Sequence, residues 1–196
     1  MSEQTQRCIA LIDAANSLDP NIEQDDNGND IAKELLYSQR MSAMLEQFAP
    51  DAGELVKIAV RAQHLERWRS ARSDYPEGRA GYMKWRTELA ALHAARCAEL
   101  MAESGYDSDA QERVKVILRK VGIKRDADVQ CLEDVSCLVF LQHYIDAFAA
   151  KYQYDEAKYI DIIQKTWAKM SEKGHAAALQ LKYNEAIRSL IEKALS

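Results

Sequence analysis

The stretch "CLEDVSCLVFLQHYIDAFAAKY", residues 131–152, decides the fold class. Its apolar residues cover most of a helical surface, and their spacing fits a 3.6-residue period better than strand alternation. A helix of that kind belongs in the middle of a helical domain. The segments around it carry the same periodicity. Working outward, "DSDAQERVKVILRKV" precedes it, with Gly122 as its stop, and "DEAKYIDIIQKTWAKMSEK" and "NEAIRSLIEKAL" follow it. Further towards the N-terminus, a long helix from about Tyr82 to Glu103 ends at Gly105, a left-handed C-cap. "GELVKIAVRAQHLERW" reads as a helix ending near Trp68, "IAKELLYSQRMSAMLEQFA" as another, and "QRCIALIDAANSL" as the first. The polar run "DPNIEQDDNGND" reads as a surface loop, and no segment reads as a strand. The expectation is an all-α fold: one helical domain over residues 1–196, of about eight helices.

Composition bounds the function. The chain has 196 residues, 47% hydrophobic and 29% charged, enough apolar mass for a core. A net charge of −5 disfavours nucleic-acid binding by bulk positive charge. No run reaches the ~18 apolar residues of a membrane span, and "MSEQTQRC" has no apolar secretory core. A cytoplasmic location is therefore expected, with no membrane partner. Cys8, Cys97, Cys131 and Cys137 form no CxxC pair and read as buried reduced thiols.

Three helices each offer polar groups at positions where apolar ones are expected. His64 lies in "RAQHLERW". His93 lies in the long helix, on a face shared with Tyr82 and Arg86. Glu133 and Asp134 lie near the start of the apolar helix, and Leu132, Val135 and Leu138 bracket Asp134 on its buried arc. A carboxylate in a core needs a cationic or metallic partner. His64, His93 and Asp134 together suit a divalent transition metal of unknown identity, with Glu133 as general base. The plainer reading is that each histidine is a hydrogen-bonded core or rim residue, and that the acids complement the helix dipole. His143 and His175 read as surface or capping residues.

Basic residues concentrate between residues 61 and 86: Arg61, Arg67, Arg69, Arg72, Arg79, Lys84 and Arg86, interleaved with Trp68, Tyr75, Tyr82 and Trp85. Arginine forks recognise phosphate or carboxylate in pairs of hydrogen bonds. Arg61, Arg67, Arg72, Tyr82 and Arg86 are accordingly candidate substrate-binding residues for a small phosphorylated molecule or nucleotide. Pairing of the same arginines with surface acids is the structural alternative.

The strings "KELLYSQRM", "RAQHLERW", "YPEGRAGYMKWR", "HAARCAELM", "LEDVSCLVFL" and "KTWAKMS" together resemble the domain-of-unknown-function 4202 family across residues 7–193. That family brings no established activity. The helix order is more distantly similar to the histidine–aspartate (HD) phosphohydrolases. That similarity implies an HD-domain-like fold, with His64 on the paired histidine and Asp134 on the late aspartate. The paired aspartate would fall on Leu65 and the early histidine near Tyr37, neither of which replaces the metal ligand. Two functions follow as expectations: a metal-dependent phosphohydrolase of a nucleotide or small phosphoester, or a non-catalytic phosphate- or nucleotide-binding module with a degenerate metal site. An RNA- or protein-interaction role for the arginine–aromatic loop is a third.

Overall fold

The computed structural model describes residues 1–152 and 155–196 and is all-α, with ten α-helices among the described residues. The chain forms two compact units, Met1–Val121 and Gly122–Ser196.

The first unit contains α1 (Glu3–Asn16), α2 (Lys33–Phe48), α3 (Glu54–Arg61), α4 (Gly78–Glu103) and α5 (Ser108–Leu118). Short α3 is its hub. Val56, Ile58, Ala59 and Val60 are almost fully buried, and α1, α2 and α5 pack against it. Burial on nearly every side suits a helix too short to stand alone. A bidentate ion pair ties α3 to α1: Arg61 donates to the two Asp13 oxygens at 2.6 and 2.7 Å.

The structure differs from expectation at three places. Residues 19–30 are not simply a loop: β1 (Ile22–Gln24) and β2 (Asp30–Ala32) pair antiparallel, with Ile22 opposite Ala32. The connecting turn is held by Asp25, whose carboxylate accepts from the backbone of Asn27 and Asn29, while Gly28 takes φ +82°. The ribbon is largely exposed, so its residues carry no apolar alternation. The third helix stops at Arg61 rather than near Trp68. Residues 62–66 form successive turns, Glu66 enters the left-handed region at φ 53°, and a 3₁₀ turn covers Arg67–Arg69. Conversely, α4 begins at Gly78, four residues before the expected start near Tyr82. Gly81 lets it pass Pro76, whose carbonyl oxygen would lie 1.9 Å from any Cβ there.

In the second unit, α6 (Ala127–Val139) continues through a π-helical turn (Phe140–Tyr144) into α7 (Ile145–Tyr152). Then come α8 (Glu156–Trp167), α9 (Glu172–Ala178) and α10 (Glu185–Leu195). α6 buries Val129, Leu132, Val135, Leu138 and Val139, as expected of a central helix, and packs against α9, while α8 packs on α10. The count exceeds eight because the π turn divides one expected helix and a break after Trp167 divides another. Side-chain caps at Asp126, Asp155, Ser171 and Asn184 start α6, α8, α9 and α10.

Candidate functional site

Three helix ends meet in the first unit to build a polar centre. Asn16, fully buried at the end of α1, accepts from the Glu66 backbone N–H at 2.9 Å and donates to the Glu34 carbonyl at 3.4 Å. Asp19 accepts from the Glu34 N–H at 3.1 Å, satisfying one of the open donors at the start of α2. These bonds fix the first turn of α2 beside the 62–66 turn. Trp85 of α4 donates its indole N–H to the Ser70 carbonyl at 3.1 Å and holds the far end of that segment.

Glu34, His64, Arg67 and His93 converge within this frame. His64 Nδ1 lies 3.2 Å from Glu34 Oε2, and its ring stacks on Tyr37 at 3.8 Å, with 12° between planes. The Arg67 guanidinium lies 3.5 Å from His64 Nε2 and 3.8 Å from Glu34, and its face covers Trp85 at 4.8 Å. This assigns the neutral tautomer of His64: Nδ1–H donates to the carboxylate and Nε2 faces the guanidinium donor. The rings of His64 and His93 are 6.1 Å apart. His93 donates Nδ1–H to the Leu65 carbonyl at 2.6 Å, and its buried Nε2 has no hydrogen-bond partner among the described residues.

Burial sets the charge states. Desolvation pushes the Glu34 carboxyl up to about 7, although Arg67 acts in the opposite direction. Desolvation pulls His93 down to about 3, with His64 adding to the effect. His64 is driven well below its ordinary value by desolvation and then by Arg67, even though 23% of its side chain remains exposed. At neutral pH the centre therefore holds two neutral imidazoles, a carboxyl close to its midpoint, and one arginine.

The remaining candidates occupy other settings. Arg61 is engaged by Asp13, and Arg72 donates to the carbonyls of Tyr75 and Pro76, bracing the loop before α4. Tyr82 and Arg86 lie on the exposed side of α4, with the guanidinium 5.7 Å from the ring centre. His93 is buried, so the expected common face is divided between solvent and core. The buried row on α4 runs through Gly81, Trp85, Leu89 and His93.

Asp134 and Glu133 belong to the second unit and are buried there. Asp134 accepts from the Ser171 N–H at 2.8 Å, the Ser171 hydroxyl at 2.6 Å and the Gln130 amide at 3.0 Å. Two of these bonds tie it to Ser171, the cap of α9. Glu133 lies 3.9 Å from the Lys169 ammonium. His175 stacks on Trp167 at 4.3 Å and contacts the Trp167 carbonyl at 2.8 Å, a capping role at the end of α8. All four cysteines are free thiols, and three of them are buried.

Glu34 is not among the residues expected from sequence. An acid in the first turn of a helix is ordinary, and its depth becomes apparent only when Asp19 and His64 are brought beside it. Tyr37, three residues later on the same face of α2, is the signal that was available.

Fold and site together define an all-α protein with a buried histidine–carboxylate–arginine centre. The family model described as "Domain of unknown function (DUF4202)" matches residues 6–191, and the chain belongs to that family. No curated protein and no solved structure matches the chain.

Proposed function

We propose that this protein is a phosphate-binding module that recognises a small phosphorylated ligand through Arg67 without a resident metal. The observation that carries this reading is the setting of Arg67. Its guanidinium is oriented by the Trp85 ring, 32% of its side chain remains exposed, and its distances to Glu34 (3.8 Å) and His64 (3.5 Å) are too long for saturated bonds. By contrast, Arg61 is fully paired at 2.6–2.7 Å. An arginine held in place but incompletely bonded is prepared for an external oxyanion. Nucleotides and small phosphoesters both fall within this ligand class.

A metal-dependent phosphohydrolase of the HD type has less support. His64 directs one ring nitrogen at a carboxylate and the other at a guanidinium, and a cation beside Nε2 opposes binding of a second. Among the described residues no three His, Cys, Asp or Glu side chains are grouped as metal ligands. Of the two imidazoles, His93 offers its Nε2 lone pair without a hydrogen-bond partner among the described residues. The choice is tested by calorimetric titration of inorganic phosphate and AMP into the full chain, with and without EDTA, beside Arg67→Gln. Saturable binding that survives EDTA and is lost in the variant is expected. Binding that needs added metal would restore the hydrolase reading.

A further inference from the structure

His64 has the surroundings of an oriented nucleophile. Its Nδ1 edge points inward to Glu34, whose side chain is only 7% exposed, at 3.2 Å. Tyr37 covers one face of the ring at 3.8 Å. The His64 side chain nevertheless stays 23% exposed, so its opening lies towards the other face and the Nε2 edge. With Nδ1–H held by the ionised Glu34, Nε2 carries the in-plane lone pair. Beside that lone pair is the Arg67 guanidinium, 3.5 Å away. A nucleophilic nitrogen thus has an orienting carboxylate behind it and a phosphate-binding fork in front of it.

The charges around the ring favour an anion. Arg67, Lys120, Lys33 and Arg86 all act on His64 electrostatically, and together with burial they keep the imidazole neutral and its lone pair available. Lys120 is placed by a turn that holds it at φ 55°. These cations attract an approaching phosphoryl group and stabilise the charge on its oxygens. Glu34, the acid of the centre, sits at the Nδ1 edge and cannot protonate a group that departs on the Nε2 side. The phosphoryl donor must therefore carry a leaving group that departs as a stable anion, as the carboxylate of an acyl phosphate does.

We propose that His64 Nε2 accepts a phosphoryl group from an acyl phosphate whose phosphate is held by Arg67. This rests on the assignment of the phosphate to Arg67 and turns a binding site into a transfer site. The Nε2 lone pair forms the N–P bond as the bond from phosphorus to the carboxylate oxygen breaks. That oxygen leaves with the electron pair and needs no proton. The positive charge that develops on the imidazole is met at Nδ1–H by Glu34, which can take the proton. Arg67 shifts outward along the Trp85 ring and bonds the oxygens of the transferred group.

The test incubates the chelator-treated full chain with acetyl phosphate and follows intact mass and tandem mass spectra. A single phosphoryl group on His64 is expected, acid-labile and alkali-stable as an N–P bond is. It should form roughly tenfold or more faster than on any histidine of the urea-unfolded chain. Arg67→Gln should slow it by a similar factor. Glu34→Gln should slow it without weakening the binding of inorganic phosphate, a split that a purely structural role does not produce. Site mapping on the wild type decides the question even where a variant does not fold. No label at His64 alongside saturable binding of inorganic phosphate would overturn the transfer step and leave Arg67 as a binding residue. Label at His64 no faster than in the unfolded chain would overturn it as well, as would label confined to carboxylates or to other histidines. Neither label nor phosphate binding would overturn both readings.

Discussion

Replacing Glu34 by Gln should reverse part of the pH dependence of stability. Gln approximates the shape of the protonated acid and cannot ionise. In the folded protein the Glu34 carboxyl titrates near 7 instead of at its ordinary 4.5, chiefly because its side chain is 7% exposed and desolvated. Between those values the folded state holds a proton that the unfolded chain has released. Stability from this group is therefore complete below pH 4.5 and is lost as pH rises through 7. Carrying a carboxyl over that interval is worth about 3 kcal/mol. The two histidines have the opposite sign. Their lowered values make the folded state refuse protons that the unfolded chain binds below 6.5, so their contribution is present at neutral pH and lost on acidification. Comparing wild type with Glu34→Gln at each pH largely cancels the histidines. Urea unfolding followed by tryptophan fluorescence from pH 4 to 8 should give similar stabilities at the acid end. The variant should be ahead by about 3 kcal/mol at pH 8. A difference constant with pH would refute the reasoning. So would a variant that loses ground as pH rises, because Arg67 would then stabilise the carboxylate by more than burial costs it.

Two further substitutions test the frame. Gly174→Ala would bring a Cβ to 2.6 Å from Asp134 Oδ1, a carboxylate that three hydrogen bonds prevent from retreating. A loss of about 2 kcal/mol is expected in thermal unfolding. Arg61→Ala removes two short bonds and leaves Asp13 without that partner, so a loss of about 2–3 kcal/mol is expected by urea unfolding.

The helical fold was legible because its signal is local and repeated. The buried faces of α3 and α6 can be read from spacing alone. Elements that lack a periodic apolar face were not legible. The 22–32 ribbon is mostly exposed, and its one cue is the Asn27–Gly28 pair, a known hairpin turn signal. The end of α3 at Arg61 has no Gly or Pro to announce it. Glu66 adopts a left-handed conformation in a setting fixed by Asn16, fifty residues away in sequence. The site was legible in its components and not in its grouping. His64 and His93 stood out as polar residues in apolar surroundings and Arg67 as one of the basic run at 61–86, and the structure brings the three to one centre. Asp134 stood out for the same reason, yet its partners are Ser171 and Gln130, in its own unit. Sequence indicates that a buried carboxylate needs a partner and leaves open which one it has.

Phosphate recognition at Arg67, beside the two neutral imidazoles, is proposed to need no metal. The most direct measurement is a ¹⁵N NMR titration of inorganic phosphate into chelator-treated protein, following the Arg67 guanidinium and the ring nitrogens of His64 and His93. Saturable shifts at Arg67 and His64 in the absence of metal are predicted, with His93 keeping its Nδ1–H tautomer. Signals that stay still until a divalent metal is added, and then move at His64 and His93, would contradict it.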